Sequence, residues 1–305
     1  MSKNNDEHLL TNLKIFSKNT LIMNMLNQLY KGIQDINHSS KPISKAWEIS
    51  FAYLKMPNNY KKIIEIIANH ENIFINKNHY HNQYHFAEVI WVSAFLAKNE
   101  FIYSYLQQHA LILLLAATFH DTEHPGRGNK EPFELEKISA YFFKQWWNNN
   151  SLFVENLMET AENDIIQVIN EMILFTDFEK GHIKVVQDYR NKPNYEMFNF
   201  KINKLKQILI EADIFLISMP GFAFDRTKML LKENNQNIEE KHIWDLLLNF
   251  NKDYTKNIMI SNASQSLGIQ EELKNFIQIL EKNKNIFTEG KKLEEKIHKK
   301  LKITF

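Results

Sequence analysis

The side chains best suited to chemistry fall in two polar clusters set into an otherwise apolar helical pattern. The first is His79-Tyr80-His81-Asn82-Gln83-Tyr84-His85. His81 and His85 are spaced i,i+4, so a helical turn there puts both imidazoles on one face. Alone, such a pair is more often a surface pair or a hydrogen-bonded core group than a metal site. The second cluster, His120-Asp121-Thr122-Glu123-His124-Pro125-Gly126-Arg127-Gly128-Asn129, follows directly on the apolar run Ala110 to Phe119. Burying His and Asp beside that run is costly unless they are paired or coordinated. Both can reach one ion if the chain turns there, and Pro125, Gly126 and Gly128 discourage the helix from continuing. A capped helix end with an Asp–His hydrogen bond would explain His120-Asp121 alone, but not His124, Pro125, Gly126 and Asn129 in register. A third carboxylate, Asp213, stands in the run Ile208 to Ile217, which is apolar apart from Glu211 and Asp213. If buried it needs a cation or several donors; otherwise it shares a solvated stripe with Glu211. The chain has no Cys, so any metal is held by nitrogen and oxygen.

These groups must be positioned by helices. Gly and Pro number only 7 and 6 in 305 residues, which favours long helices. Apolar residues recur at helical spacing in Leu9 to Phe16, Leu21 to Tyr30, Trp47 to Leu54, Tyr60 to Ala68, His85 to Leu96, Leu106 to Phe119, Phe133 to Trp147, Ile165 to Phe175, Phe200 to Ile217, Glu239 to Phe250, Glu271 to Leu280 and Leu293 to Leu301. Only Ile73-Phe74-Ile75 and Lys184-Val185-Val186 read as short strands. The expected fold is an all-α multi-helix bundle forming one domain over residues 1–305. Within it, 1–75 supply packing helices, 76–220 the metal-site core and 221–305 the helices closing a substrate pocket. A formal charge of +1 gives no global field for nucleic acid or an anionic membrane, and the Lys-rich tail is interleaved with Glu294 and Glu295 as on a solvated helix face. The opening residues lack the apolar stretch of a secretory signal, and the longest apolar run is too short to span a bilayer, so a cytoplasmic protein is expected. Its oligomeric state is not readable.

The three pieces together resemble the class I cyclic nucleotide phosphodiesterases, within the wider HD-domain phosphohydrolase superfamily. Tyr80-His81-Asn82-Gln83-Tyr84-His85-Phe86-Ala87-Glu88-Val89 follows that family's Tyr-His-Asn-x-x-His-x-x-Asp-Val signature, with Glu88 in place of Asp. His120 to Asn129 matches every fixed position of His-Asp-x-x-His-Pro-Gly-x-x-Asn. Ala212-Asp213-Ile214 and Thr176-Asp177 have counterparts in it, although Ile210 replaces a usual His. The resemblance implies an enzyme that hydrolyses a 3′,5′-cyclic nucleotide, or another nucleotide or phosphoester, with two divalent metals that acidify a shared water. His85, His120, Asp121 and Asp213 would hold the first metal, commonly zinc; Asp121 would bridge to the second, magnesium or manganese. His81 would be the general acid, and His124 and Asn129 would orient water or phosphate. Glu136 would stabilise the site, and Asp177 would support His81 or the metal's water. Tyr80 lies in the signature that faces substrate. For the base, the resemblance points to Gln265, with Phe276 stacking because Gly268 stands where the family has Phe. A nucleotide-binding module without catalysis is the remaining reading, and it conflicts with the full set of ligands and acid.

Overall fold

A computed structural model describes residues 20–301, apart from 75, 102–105, 155–161, 193, 199 and 283–284. The expected helix over Leu9 to Phe16 lies outside the described residues, as does Ile75. Among the described residues the chain is helical with no strand, only an isolated bridge between Met197 and Phe200. In order the helices are α1 (Thr20–Asn37), α2 (Pro42–Leu54), α3 (Lys61–Asn69), α4 (Gln83–Glu100), α5 (Leu106–Phe119), α6 (Glu134–Val154) and α7 (Glu162–Leu174). There follow α8 (Gly181–Asn191), α9 (Ile202–Ser218), α10 (Ala223–Glu233), α11 (Glu240–Phe250), α12 (Asn262–Ser266), α13 (Ile269–Glu281) and α14 (Ile286–Leu301), with a π-helical turn at Asn251–Thr255.

Both strand expectations give way to helix. Ile73 and Phe74 belong to a 3-10 turn, Glu71–Phe74. Lys184-Val185-Val186 lies in α8, where His182, Val185, Val186 and Tyr189 are buried at helical spacing. The longer period outweighs the three-residue β-branched run.

Helix α4 is central and packs against α1, α2, α5, α9 and α12. It starts where the Asn82 side chain accepts from the backbone N–H of Tyr84 (2.9 Å) and His85 (3.4 Å). Nearly all of it is buried, which explains its lack of a polar face. Helix α5 is buried on all sides from His109 onward and stops at Phe119; Glu123 (φ 61°) and Gly126 (φ 72°) then hold the left-handed conformation, so the chain turns after His120. A second apolar cluster, including Phe224, Trp244, Leu247, Phe276, Leu280 and Leu293, joins α10, α11, α13 and α14.

Buried carboxylates tie the helices together by accepting from helix N-termini. Glu71 accepts from Ile43 N–H (2.9 Å) at the start of α2. Glu100 accepts from Ala263 N–H (3.0 Å) at the start of α12 and pairs with Lys204 (2.9 Å). Glu211 accepts from the N–H of Ile260 (2.8 Å) and Ser261 (2.7 Å), and from the hydroxyls of Ser261 (2.6 Å) and Ser264 (2.5 Å). The solvated stripe for Glu211 and Asp213 is therefore not what forms: Glu211 is fully buried. Glu211→Leu is expected to lower stability by about 3 kcal/mol or more, because it strands several buried donors at once. Urea unfolding checks this, and a midpoint within error of the parent would contradict the anchoring role.

Glu294, mostly buried on α14 near Asp225, has its carboxyl pushed up to about 8 by burial and by that neighbouring charge. Its folded pKa thus exceeds the unfolded value of 4.5, so its contribution to stability is fully present below that value and is lost as pH rises through about 8. Glu294→Gln is expected to stabilise by about 1–2 kcal/mol near pH 8.5, after discounting for solvent screening, and by almost nothing near pH 4.5. Melting curves at the two pH values provide the check.

Candidate metal centre

Four side chains from three segments converge. His85 comes from the first turn of α4, His120 and Asp121 from the turn after α5, and Asp213 from the middle of α9. One ligand atom from each lies within 4.8 Å of all the others. His85 Nε2 is 3.3 Å from Asp121 Oδ2 and 3.1 Å from Asp213 Oδ1; His120 Nε2 is 3.1 Å and 3.4 Å from the same atoms. The expected ligand set is therefore brought together.

The donor chemistry fits a divalent ion. His120 Nδ1–H donates to the Ala117 carbonyl at 2.8 Å, which fixes the tautomer and leaves the Nε2 lone pair facing the cluster. Nε2 of both His85 and His120 is buried without a hydrogen-bond partner. Without a cation, burial works against charge on these rings, yet the two carboxylates raise both imidazoles above their ordinary value. Burial likewise opposes charge on Asp121 and Asp213, and the histidines nevertheless hold both carboxyls below the carboxylate range. Two carboxylates and two imidazoles in this space balance their charge by taking up protons or a cation.

His81 stands beside the four. Its Nε2 is 3.8 Å from Asp121 Oδ2, and its Nδ1–H donates to Glu233 Oε1 at 2.5 Å. Glu233 Oε2 also accepts from the backbone N–H of Tyr80 (2.8 Å) and His81 (2.9 Å). Burial works to raise the Glu233 carboxyl, but the bonds from His81 and Tyr80 bring it down to about 2, so it is a carboxylate at neutral pH. Glu233 was absent from the sequence-derived site. It is the last residue of α10 in a polar Lys-Glu-Asn-Asn stretch that carries no local signal. Its position depends on the fold: α9 and α10 meet at 97°, and Arg226, on the same face as Glu233, forms a partly buried ion pair with Glu88 of α4. Glu88, the departure from the family signature, thus helps aim α10 at His81.

His124 stacks on His81 with ring centroids 3.8 Å apart. Its Nδ1 accepts from Gly126 N–H at 3.1 Å, and burial, aided by His81, pushes its pKa down to about 4, so it is neutral near pH 7. Asn129, Glu136 and Asp177 form one network. The Asn129 amide donates to Glu136 (3.0 Å) and Asp177 (3.0 Å), while its carbonyl accepts from Leu135 N–H (2.9 Å). Burial raises the Glu136 carboxyl to about 7. One expected contact is not made here. Asp177 does not support His81: its oxygens are taken by Asn129, by Phe133 N–H (2.9 Å) and by Lys180 N–H (2.7 Å), and Glu233 does that work instead. Asn129 has its amide committed to the two carboxylates and holds them together.

A cavity of about 460 Å³ opens over Asp121 and Asp213 and is lined by Tyr80, His81, His124, Asn129, Glu136 and Asp177 as well. Neither residue expected to hold the base lines it. Gln265 sits on α12, pinned by Glu100 and Glu211; it donates to Ile260 O (2.9 Å) and borders a separate hollow with Tyr189, Arg190 and Lys204. Phe276 is 1% exposed within the second apolar cluster, because the buried face of α13 (Ile269, Leu273, Phe276, Leu280) turns inward. The apolar part of its lining is instead Phe178, Ile214, Ile217, Leu230 and Phe250, with Leu135.

Comparisons with known proteins agree with this architecture. Residues 80–145 match the family model described as 3′5′-cyclic nucleotide phosphodiesterase. A stretch of 76 residues is 42% identical to a probable 3′,5′-cyclic phosphodiesterase, pde-6, of Caenorhabditis elegans; it covers 25% of this chain and 10% of that protein. The fold is similar to the phosphodiesterase domain of a RhoPDE fusion protein from the choanoflagellate Salpingoeca rosetta, with TM-score 0.63, 17% identity, and coverage of 87% of this chain and 95% of that one. It is also similar to yeast caPDE2 in complex with IBMX, with TM-score 0.64, 14% identity, and coverage of 92% and 70%. The architecture is the all-α phosphodiesterase-domain fold. The chain is thus similar to the 3′,5′-cyclic nucleotide phosphodiesterases in sequence over residues 80–145 and in fold over most of its length.

Proposed function

We propose that the protein is a metal-dependent phosphodiesterase that hydrolyses a 3′,5′-cyclic nucleotide to its 5′-monophosphate. The observation that carries this reading is the juxtaposition of the His85–His120–Asp121–Asp213 donor set with the His81–Glu233 pair in one cavity. Zinc suits the imidazole-containing set, and magnesium or manganese, sharing Asp121, suits the more oxygen-rich side. Bound divalent cations supply Lewis acidity, acidifying water and drawing charge from the phosphoryl oxygens.

The chain's own residues do the rest. Glu233 accepts from His81 Nδ1–H and so aims Nε2 at the cavity. Nε2 is then placed to give a proton to the departing 3′ oxygen. His124, stacked on His81, limits the ring's rotation. Asn129 holds Glu136 and Asp177 together at the rim.

Metal analysis followed by turnover assays tests the reading. Expected results are two metal equivalents per chain and conversion of cyclic AMP or cyclic GMP to the 5′-monophosphate with manganese or magnesium added. Turnover of linear nucleotides but not cyclic ones would move the assignment to another phosphohydrolase activity. No turnover of any phosphoester by the metal-loaded protein would sink it.

A further inference from the structure

The cavity is lined by apolar as well as polar side chains, among them Phe178, Ile214, Ile217, Leu230 and Phe250. Phe178 is exposed at 47%, whereas most of the large aromatics described are buried. Its ring packs 4.3 Å from that of Tyr254 and lies parallel to Phe250, with an interplanar angle of 12° and centroids 6.2 Å apart. This wall is held in advance. The Tyr254 hydroxyl donates to the Phe178 carbonyl (3.3 Å) and accepts from Nδ1 of the fully buried His182 (2.6 Å). A rigid, solvent-facing aromatic ring beside a phosphoester site is a stacking platform for a planar heterocycle.

Several polar side chains around the cavity are already committed within the protein. Asn129 is committed to Glu136, Asp177 and Leu135 N–H. Arg127 makes two bonds to Glu134, at 2.6 Å and 3.1 Å, and Thr176 donates to Ile173 O at 2.8 Å. Asn234, at the exposed edge, spends an amide hydrogen on Leu230 O at 3.1 Å, and Glu179 stands in solvent. A buried donor–acceptor pair rejects the wrong base strongly because a mismatch leaves it unpaired, whereas an apolar wall or an exposed group discriminates weakly.

We propose that the nucleotide base is held by stacking on Phe178 between apolar walls, with Tyr254 as the residue that positions Phe178, and that the site accepts adenine and guanine with little discrimination. The proposal rests on the nucleotide reading of this cavity, but binding tests it apart from turnover. Calorimetric titration of the metal-loaded full chain with adenosine 5′-monophosphate and guanosine 5′-monophosphate is expected to give dissociation constants within about tenfold of each other. Phe178→Ala is expected to weaken both by about tenfold or more, and to a similar degree, whereas Phe178→Trp retains binding. Tyr254→Phe should weaken both severalfold and, in turnover of cyclic AMP and cyclic GMP, raise KM while leaving kcat nearly unchanged. A preference of about a hundredfold or more for one base would overturn the proposal, as would unchanged binding in Phe178→Ala or failure to bind either nucleotide. Even-handed binding without turnover of either cyclic nucleotide would uphold it and remove the catalytic reading instead.

Discussion

Asp121→Ala is expected to lower turnover by at least about 10⁴-fold, or ~5.4 kcal/mol of transition-state stabilisation, and to deplete bound metal. The size follows from the position of one atom. Asp121 Oδ2 is approached by three imidazoles: His120 at 3.1 Å, His85 at 3.3 Å and His81 at 3.8 Å. Without this carboxylate, His85 and His120 face Asp213 alone, and the cluster loses half its negative charge. It then has less to offset a divalent ion, and the group proposed to be shared by two ions is gone. Asp121→Asn keeps the shape while removing the charge, so it separates loss of the site from loss of the fold. Turnover and metal content by mass spectrometry provide the measurement. Full activity with full metal content in either variant would remove Asp121 from the centre.

His81→Ala is expected to lower kcat on cyclic nucleotides by about 10²–10⁴-fold while metal content stays at the parent level. The four-ligand set does not include His81, whose Nδ1 is already committed to Glu233. The loss should depend on the leaving group. An ester of p-nitrophenol departs without needing a proton, so the same variant should lose only about tenfold or less on such a substrate. Glu233→Gln should reproduce the pattern in weaker form, since the amide still accepts from the backbone of Tyr80 and His81 but no longer stabilises a charged imidazole. Loss of metal from His81→Ala, or equal losses on both substrates, would contradict the role of proton donor.

Much of the molecule was legible locally. The helices around the site were readable because apolar residues recur at helical spacing and because helix-breaking residues are few. The helix expected over His85 to Leu96 starts two residues earlier, where Asn82 caps it by bonds to residues two and three positions on. The candidate metal ligands were readable because polar groups that can bind cations stand against apolar runs, where burial without a partner is costly. Local reasoning also had a limit within that region: Lys184-Val185-Val186 is too short to show its period, and only its buried neighbours His182 and Tyr189 make it helical.

Tertiary structure decided the rest. Glu233 reaches His81 across 152 positions, through a bend of the chain and an ion pair between α4 and α10, and neither leaves a mark in the residues beside it. The base pocket was misplaced for a related reason. Gln265 was suited to reading a purine, but Glu100 and Glu211 pin its short helix elsewhere, and the inward face of α13 takes Phe276 into a core. By itself the sequence determined the helical class and the candidate ion-binding residues, because periodicity and the cost of burying charge act on near neighbours. Only the packing decided which carboxylate holds His81 and that Phe178, Ile214 and Phe250 line the cavity over Asp121 and Asp213. Those outcomes depend on how whole helices are aimed, and that is fixed by contacts between residues far apart in the chain.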